Sequence, residues 1–306
     1  MESLLRSAGR WFASKSKRGR YVGVGPRTDV SPLIDPQSKC IVATVAPCQY
    51  EIPFQCRFDL RRLFGMLLKR YQSGEFEQVW REIRLHERVD GEFREEVLEV
   101  AEAAMRRVAQ NADLISERLR ALGWQALLAK YHDLRTLPKV TDKTVFTRIE
   151  EISEAPIPLT LLAFWRIVGG INWVWDYDAS VPQPDLGFDL PTEEYDALCI
   201  DAASSVAYLF DEWIDQKQQA DSDSLRIDLA PDYLHKANIS GGTPYCIEVP
   251  FVGADPVFAY ERHELPFLDY LRLAFRWAGF PGLDRHANRS DVLNFVVRFR
   301  KELIPF

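Results

Sequence analysis

Asp176 and Asp178 flank Tyr177 in the run Trp173-Val174-Trp175-Asp176-Tyr177-Asp178. On a regular strand, residues two apart face the same side. The two carboxylates would then share one face, with Trp173 and Trp175 on the other. Paired carboxylates can hold a divalent metal or divide acid and base work. They can also form the polar end of a strand whose aromatic face is core or interface. No histidine and no further spaced ligand accompanies the pair. A metal-dependent enzyme is therefore the rival reading, and no catalytic residue, metal or cofactor is assigned.

Other reactive side chains form no chemical constellation. Cys40, Cys48 and Cys56 recur every eight residues, whereas zinc sites favour cysteine pairs two to four residues apart and four ligands in all. His86, His132, His235, His263 and His286 are scattered. There is no phosphate-binding Gly-Lys-Ser/Thr loop, no Gly-x-Ser-x-Gly elbow and no dinucleotide fingerprint.

Charge carries more information. The net charge is −7, but it is unevenly spread. Residues 1–70 hold 13 Lys and Arg against 5 acids, whereas residues 170–232 hold 2 against 15. Such an acidic span repels nucleic acid and attracts basic surfaces. The residues expected to meet a basic protein partner are Asp176, Asp178, Glu193, Glu194, Asp196, Asp211, Glu212 and Asp215. The competing reading is a solvated face.

These acids need elements to hold them. Hydrophobic residues make up 47% of the 306, enough for a real core. Apolar residues at 3–4 spacing predict helices on Leu60–Tyr71, Phe76–Ile83 and Phe93–Val108, then on Leu114–Leu122. Phe146, Ile149 and Ile152 mark another helix, Leu159–Val168 the next, then Ser205–Gln216 and Pro266–Ala278. Strand-like pieces are Cys40–Val45, Ile171–Trp175, Ala197–Ile200, Ser224–Leu229, Tyr245–Val249 and Val257–Tyr260. The fold class is α+β. The expected organisation is a basic tail over 1–39, a mostly helical domain over 40–125, a connection over 126–145 and an α+β domain over 146–306.

Three groups of residues in the last domain resemble the SUKH superfamily, named after the fungal Smi/Knr regulators and related bacterial immunity proteins. The first is Ile149-Glu150-Glu151-Ile152, Ile157-Pro158-Leu159 and Phe164-Trp165-Arg166-Ile167-Val168-Gly169-Gly170. The second is Ala230-Pro231-Asp232-Tyr233, His235-Lys236-Ala237-Asn238 and Ser240-Gly241-Gly242-Thr243-Pro244-Tyr245. The third is Phe267-Leu268-Asp269-Tyr270-Leu271-Arg272, with Gly279-Phe280-Pro281-Gly282. Ile157 stands where the family usually has Leu, and Ala278 where a second Gly is common. The resemblance covers about half the chain. It implies a small sheet flanked by helices and a binding role: bacterial members often neutralise toxins by covering them. It supplies no shared catalytic residue.

The expected function is thus a non-enzymatic, protein-binding, immunity-type protein with an acidic surface. Its expected partner is a basic toxin domain, with no direct nucleic acid contact. Five cysteines and no recognisable leader suggest a reducing cytoplasm. Leu4, Leu5, Ala8, Trp11 and Phe12 fall on one helical face beside Arg6 and Arg10. Residues 1–20 could therefore touch an anionic membrane surface or a scaffold, a further alternative.

Overall fold

The computed structural model describes residues 66–127, 133–177, 180–219 and 224–306. The expected tail, the strand Cys40–Val45, the three N-terminal cysteines, His132, the helical residues before Met66 and Asp178 lie outside them.

The chain is α+β, as its periodicities predict. Helix α1 (Leu67–Gln72) and α2 (Phe76–Arg84) lead into α3 (Gly91–Ala121). Val97, Val100, Ala101, Ala104, Met105, Val108, Ala112, Ile115 and Leu119 of α3 are fully buried. Their 3–4 spacing makes one continuous stripe. The sequence suggests a break after Val108, but the helix runs through it. The interrupting residue, Asn111, is 2% exposed. Its Nδ2 donates to the Ile304 carbonyl (2.8 Å) and its Oδ1 accepts the Ile304 N–H (2.9 Å). Two more buried polar residues on α3 act in the same way. Glu96 accepts the Leu67 N–H (2.9 Å), and Ser116 accepts the Trp173 indole N–H (2.9 Å). Each satisfied polar group thereby ties a distant segment to α3.

Strand β1 (Arg135–Thr136), β2 (Gly170–Asn172) and β3 (Cys199–Ile200) form an antiparallel sheet in the order β1-β2-β3. In its registers Arg135 faces Ile171, and Ile171 faces Ile200. Strand β4 (Leu225–Ala230) pairs antiparallel with β5 (Tyr245–Val249), with a bulge between Asp228 and Ala230. The Asp201 N–H donates to the Leu229 carbonyl (2.8 Å), so β3 and β4 meet at their ends. The expected strand Ile171–Trp175 stops at Asn172. Val257–Tyr260 contributes isolated bridges, Cys246 to Ala259 and Val257 to Pro266.

Helix α4 (Asp142–Ser153) and α5 (Leu159–Ile167) precede β2. Helix α5 is buried nearly all round, from Leu159 through Trp165, which suits a helix that is apolar on every face. A 3-10 helix, Ala203–Leu209, continues into α6 (Phe210–Gln219). Helices α7 (Phe267–Arg276) and α8 (Ser290–Arg300) complete the fold.

Residues Leu60–Phe306 form one compact unit, so the boundary expected at 126–145 falls inside it. That segment's described residues before α4 lack an amphipathic period because backbone pairing and buried side chains hold Ala126, Leu127 and Arg135–Thr136. The Leu127 N–H donates to the Val174 carbonyl (2.7 Å), Ala126 bridges Trp175, and the Trp124 indole donates to the Trp173 carbonyl (3.1 Å). Arg135 donates to the carbonyls of Ala109 (3.0 Å) and Val168 (2.7 Å) and pairs with Asp113. A second tie crosses the expected boundary. The fully buried Asp255 side chain accepts Arg84 Nη2 (2.6 Å), the Thr160 hydroxyl (3.0 Å) and the Leu268 N–H (3.0 Å). Arg84 also reaches Asp269 (2.7 Å), which Arg272 holds from the other side (2.8 Å).

The glycines of the resemblance are packing positions. Gly169 has φ +85°, and a Cβ there would lie 2.1 Å from the Thr136 carbonyl oxygen. At Gly279, φ +93°, a Cβ would lie 2.5 Å from the Trp173 ring.

Candidate partner-binding site

The eight acids singled out from sequence separate into different environments. Asp196 is a correction: it was expected on the surface and is 7% exposed. Lys236, 5% exposed, donates to its Oδ1 (2.6 Å), and the Tyr245 hydroxyl reaches Oδ2 (3.3 Å). The Lys236 ammonium also sits 4.6 Å from the centre of the Tyr245 ring, a cation–π contact. A charge count cannot reveal this burial, because Asp196 and its cation are 40 residues apart.

Lys236 is delivered by a turn built on Asp232. Its Oδ1 accepts the Leu234 N–H (2.9 Å), its Oδ2 meets His235 Nδ1, and its carbonyl accepts the Lys236 N–H (3.0 Å). Tyr177 caps the turn by donating to the carbonyls of His235 and Lys236. A Cβ on Gly241 would lie 2.4 Å from Asp232 Oδ1. The Asp-Tyr, His-Lys and Gly-Gly pieces are therefore one folded turn.

Glu193 and Glu194 lie on a 3-10 turn, Thr192–Glu194, and are half-buried. Glu194 pairs with Arg285 (3.0 Å) and His286 (3.3 Å). Asp176 is half-buried, and its N–H donates to the Gln125 carbonyl (2.9 Å). Trp173, Val174 and Trp175 around it are all buried, so the aromatic side of this run is core. Asp178 lies outside the described residues, and the Asp176/Asp178 pair remains a sequence reading.

Asp211, Glu212 and Asp215 are exposed on α6. They are held outward because α6 buries its opposite side. Trp213 is 2% exposed, and its indole N–H donates to the Arg226 carbonyl (2.9 Å) at the side of β4. The α6 acids continue onto the polar side of β4. Alternation along Leu225-Arg226-Ile227-Asp228-Leu229 buries the odd residues and leaves Arg226 and Asp228 half-exposed on one face. Arg226 lies against Cys246 Sγ (3.3 Å), Asp228 (3.3 Å) and the Tyr260 ring (4.7 Å to its centre).

Two carboxyls at this face are perturbed. Burial raises Asp201, at the β3–β4 junction, to about 7. Burial raises Asp228 to about 6, with Arg226 opposing the rise and Glu212 adding to it. Burial also raises the Tyr208 hydroxyl, and the charges of Asp201, Asp228 and Glu212 push it further. Tyr208 thus lies within electrostatic reach of all three carboxyls. Asp201, Asp228 and Tyr208 were missed from sequence, although the β4 alternation marks Asp228 as outward. The two described cysteines are free and buried, and burial pushes the Cys199 thiol up to about 12. That leaves it no thiolate for chemistry near neutrality.

Among the described residues, no three His, Cys, Asp or Glu side chains are gathered as metal ligands. No described helix is long and apolar enough to cross a membrane. No family model, curated protein or solved structure matches this chain.

Proposed function

We propose that this protein works by binding another protein, and that the partner brings a basic surface to the face formed by α6 and the polar side of β4. The observation that carries the reading is the contrast in pairing. Asp196, Asp255, Asp269, Glu194 and Asp291 each face a Lys or Arg within hydrogen-bond reach. Asp211 and Asp215 are exposed and have no ion pair among the described residues, and Asp201 is a carboxyl raised by burial with no ion pair among them either; Asp228, also raised, has Arg226 at 3.3 Å. A basic side chain from a partner would supply the missing counter-charge.

The resemblance to the SUKH superfamily narrows the proposal to a non-enzymatic, immunity-type role in the cytoplasm, with a basic toxin domain as partner. The free thiols of Cys199 and Cys246 fit a reducing compartment. The test begins with affinity capture and mass spectrometry to obtain the partner. Association is then measured at low and high salt. Reversing Asp211 and Asp215 together should slow association about tenfold at low salt and change dissociation little, because exposed charges act on encounter. An unchanged association rate and salt dependence would reduce this face to a solvated one.

A further inference from the structure

A groove of about 650 Å³ opens where the start of α4 meets α5. Its lining combines three kinds of group with one further acid, Glu150, whose Oε1 accepts the Ile157 N–H (3.2 Å). Lys139, Lys143 and Arg166 bring three cations. Neither lysine has a carboxylate partner among the described residues, and Arg166 reaches only Glu102, at 3.8 Å. Phe146, 8% exposed, supplies the apolar wall and is backed by the fully buried Trp165, whose ring stacks on it 6.1 Å away at 13°. The third group is Asp142, 4% exposed. Its Oδ2 accepts the Lys139 N–H (2.7 Å), while its Oδ1 is buried with no hydrogen-bond partner among the described residues.

A buried carboxylate oxygen left unpaired costs on the order of a kcal/mol or more. One oxygen suffices for the Lys139 N–H, and no described residue meets the other. A hydrogen-bond donor arriving from outside would remove that cost. The cations ask for a negative group from the same visitor, and the volume lies within the range of small-molecule sites. We infer that this groove is a second binding site, for a small organic anion that carries an N–H or O–H donor beside an apolar or planar part. The anionic group meets Lys139, Lys143 and Arg166 near the N-terminus of α4, where the helix dipole adds to the attraction. The donor serves Asp142, and the planar part lies along the apolar wall. This inference is independent of the α6 face, which asks for a partner of the opposite charge.

The anion can be a phosphate or a carboxylate, and the test separates them. Titration calorimetry of the whole protein would use guanosine 5′-monophosphate and N-benzoyl-L-glutamate as the two probes. Guanosine, inorganic phosphate and benzamide are the part-ligand controls. One probe should bind saturably and at least about tenfold more tightly than its controls, since each part contributes. Lys139→Glu with Lys143→Glu should abolish that binding. Asp142→Asn keeps an oxygen for the Lys139 N–H and places an N–H where Oδ1 stands. It should weaken the probe about tenfold while the thermal midpoint stays or rises. Three results would overturn the inference: no saturable binding of either probe, binding of inorganic phosphate equal to that of the nucleotide, or binding unaffected by Asp142→Asn.

Discussion

Asp196 and Asp201 stand five residues apart in the same acidic span, and the fold treats them in opposite ways. Around Asp196 the chain gathers an ammonium, a phenol hydroxyl and a ring face. Asp201 is also crowded, but no described cation pairs with it, and burial lifts its carboxyl to about 7. A buried carboxylate with a fitted cation belongs to the architecture, as Asp255 with Arg84 does at the seam between α2 and α7. A raised carboxyl without one is a cost left standing. Perturbed groups of that kind concentrate where proteins meet ligands. The difference teaches that negative charge along a sequence mixes two populations, and that the cation partner separates them.

The largest expected effects break the paired population. Asp196→Ala strands the Lys236 ammonium, and Arg84→Ala strands Asp255. Each should cost about 3–5 kcal/mol by urea denaturation, the usual result of removing half a buried pair. A loss below about 1 kcal/mol for both would erase the distinction. Gly279→Val should follow, costing about 2 kcal/mol or more, because the new side chain meets the Trp173 ring on a backbone of positive φ.

Asp201, which belongs to the second population, and Asp228, raised by burial despite Arg226 at 3.3 Å, can both be probed through pH. Their folded values, about 7 and about 6, lie above the ordinary aspartate value near 3.9. The folded state therefore holds its protons more tightly than the unfolded chain. This contribution is full below about pH 4 and is lost as pH rises through 6 to 7. Asp201→Asn with Asp228→Asn should flatten that fall and raise stability at pH 8 by about 1–2 kcal/mol, allowing for partial exposure. The check is a series of thermal midpoints from pH 4 to 8. A parallel slope in the variant would place the pH dependence elsewhere.

The smallest effect is on Asp211 and Asp215. Reversing both to Lys should leave stability within about 0.5 kcal/mol, since nothing in the fold leans on them. Combined with Asp196→Ala, these reversals would show the two populations in one assay.

Much of the architecture was legible in the sequence because helices bury one stripe. The stripes of α2, α3 and α7 are plain in their apolar spacing, α5 is plain as an unbroken apolar run, and the Gly169-Gly170 stop is plain in composition. What escaped was set by tertiary partners. The gap between Val108 and Leu114 looked like a helix break because the use of Asn111 within it depends on Ile304, 193 residues away. The segment 126–145 looked like a connection because pairing at Ala126, Leu127 and Arg135–Thr136 leaves no side-chain period. Asp196 looked exposed because a formal charge says nothing about Lys236. On the candidate site the α6 acids were legible, since Trp213 and Ile214 mark the inner side of their helix. Asp201 was not, because desolvation comes from packing that no local pattern encodes.

The three polar tethers on α3 also bear on the order of events in folding. Glu96 holds Leu67, 29 residues away, Ser116 holds Trp173, 57 away, and Asn111 holds Ile304, 193 away. Closing a chain loop becomes harder as it lengthens, and non-local contacts slow folding. The α1 tether should thus engage first, the Trp173 tether next and the Ile304 tether last. Until that last step, the middle of α3 keeps an amide without its partner. In a pulse-labelling experiment, the Ile304 amide should gain protection from hydrogen exchange later than the Leu67 amide.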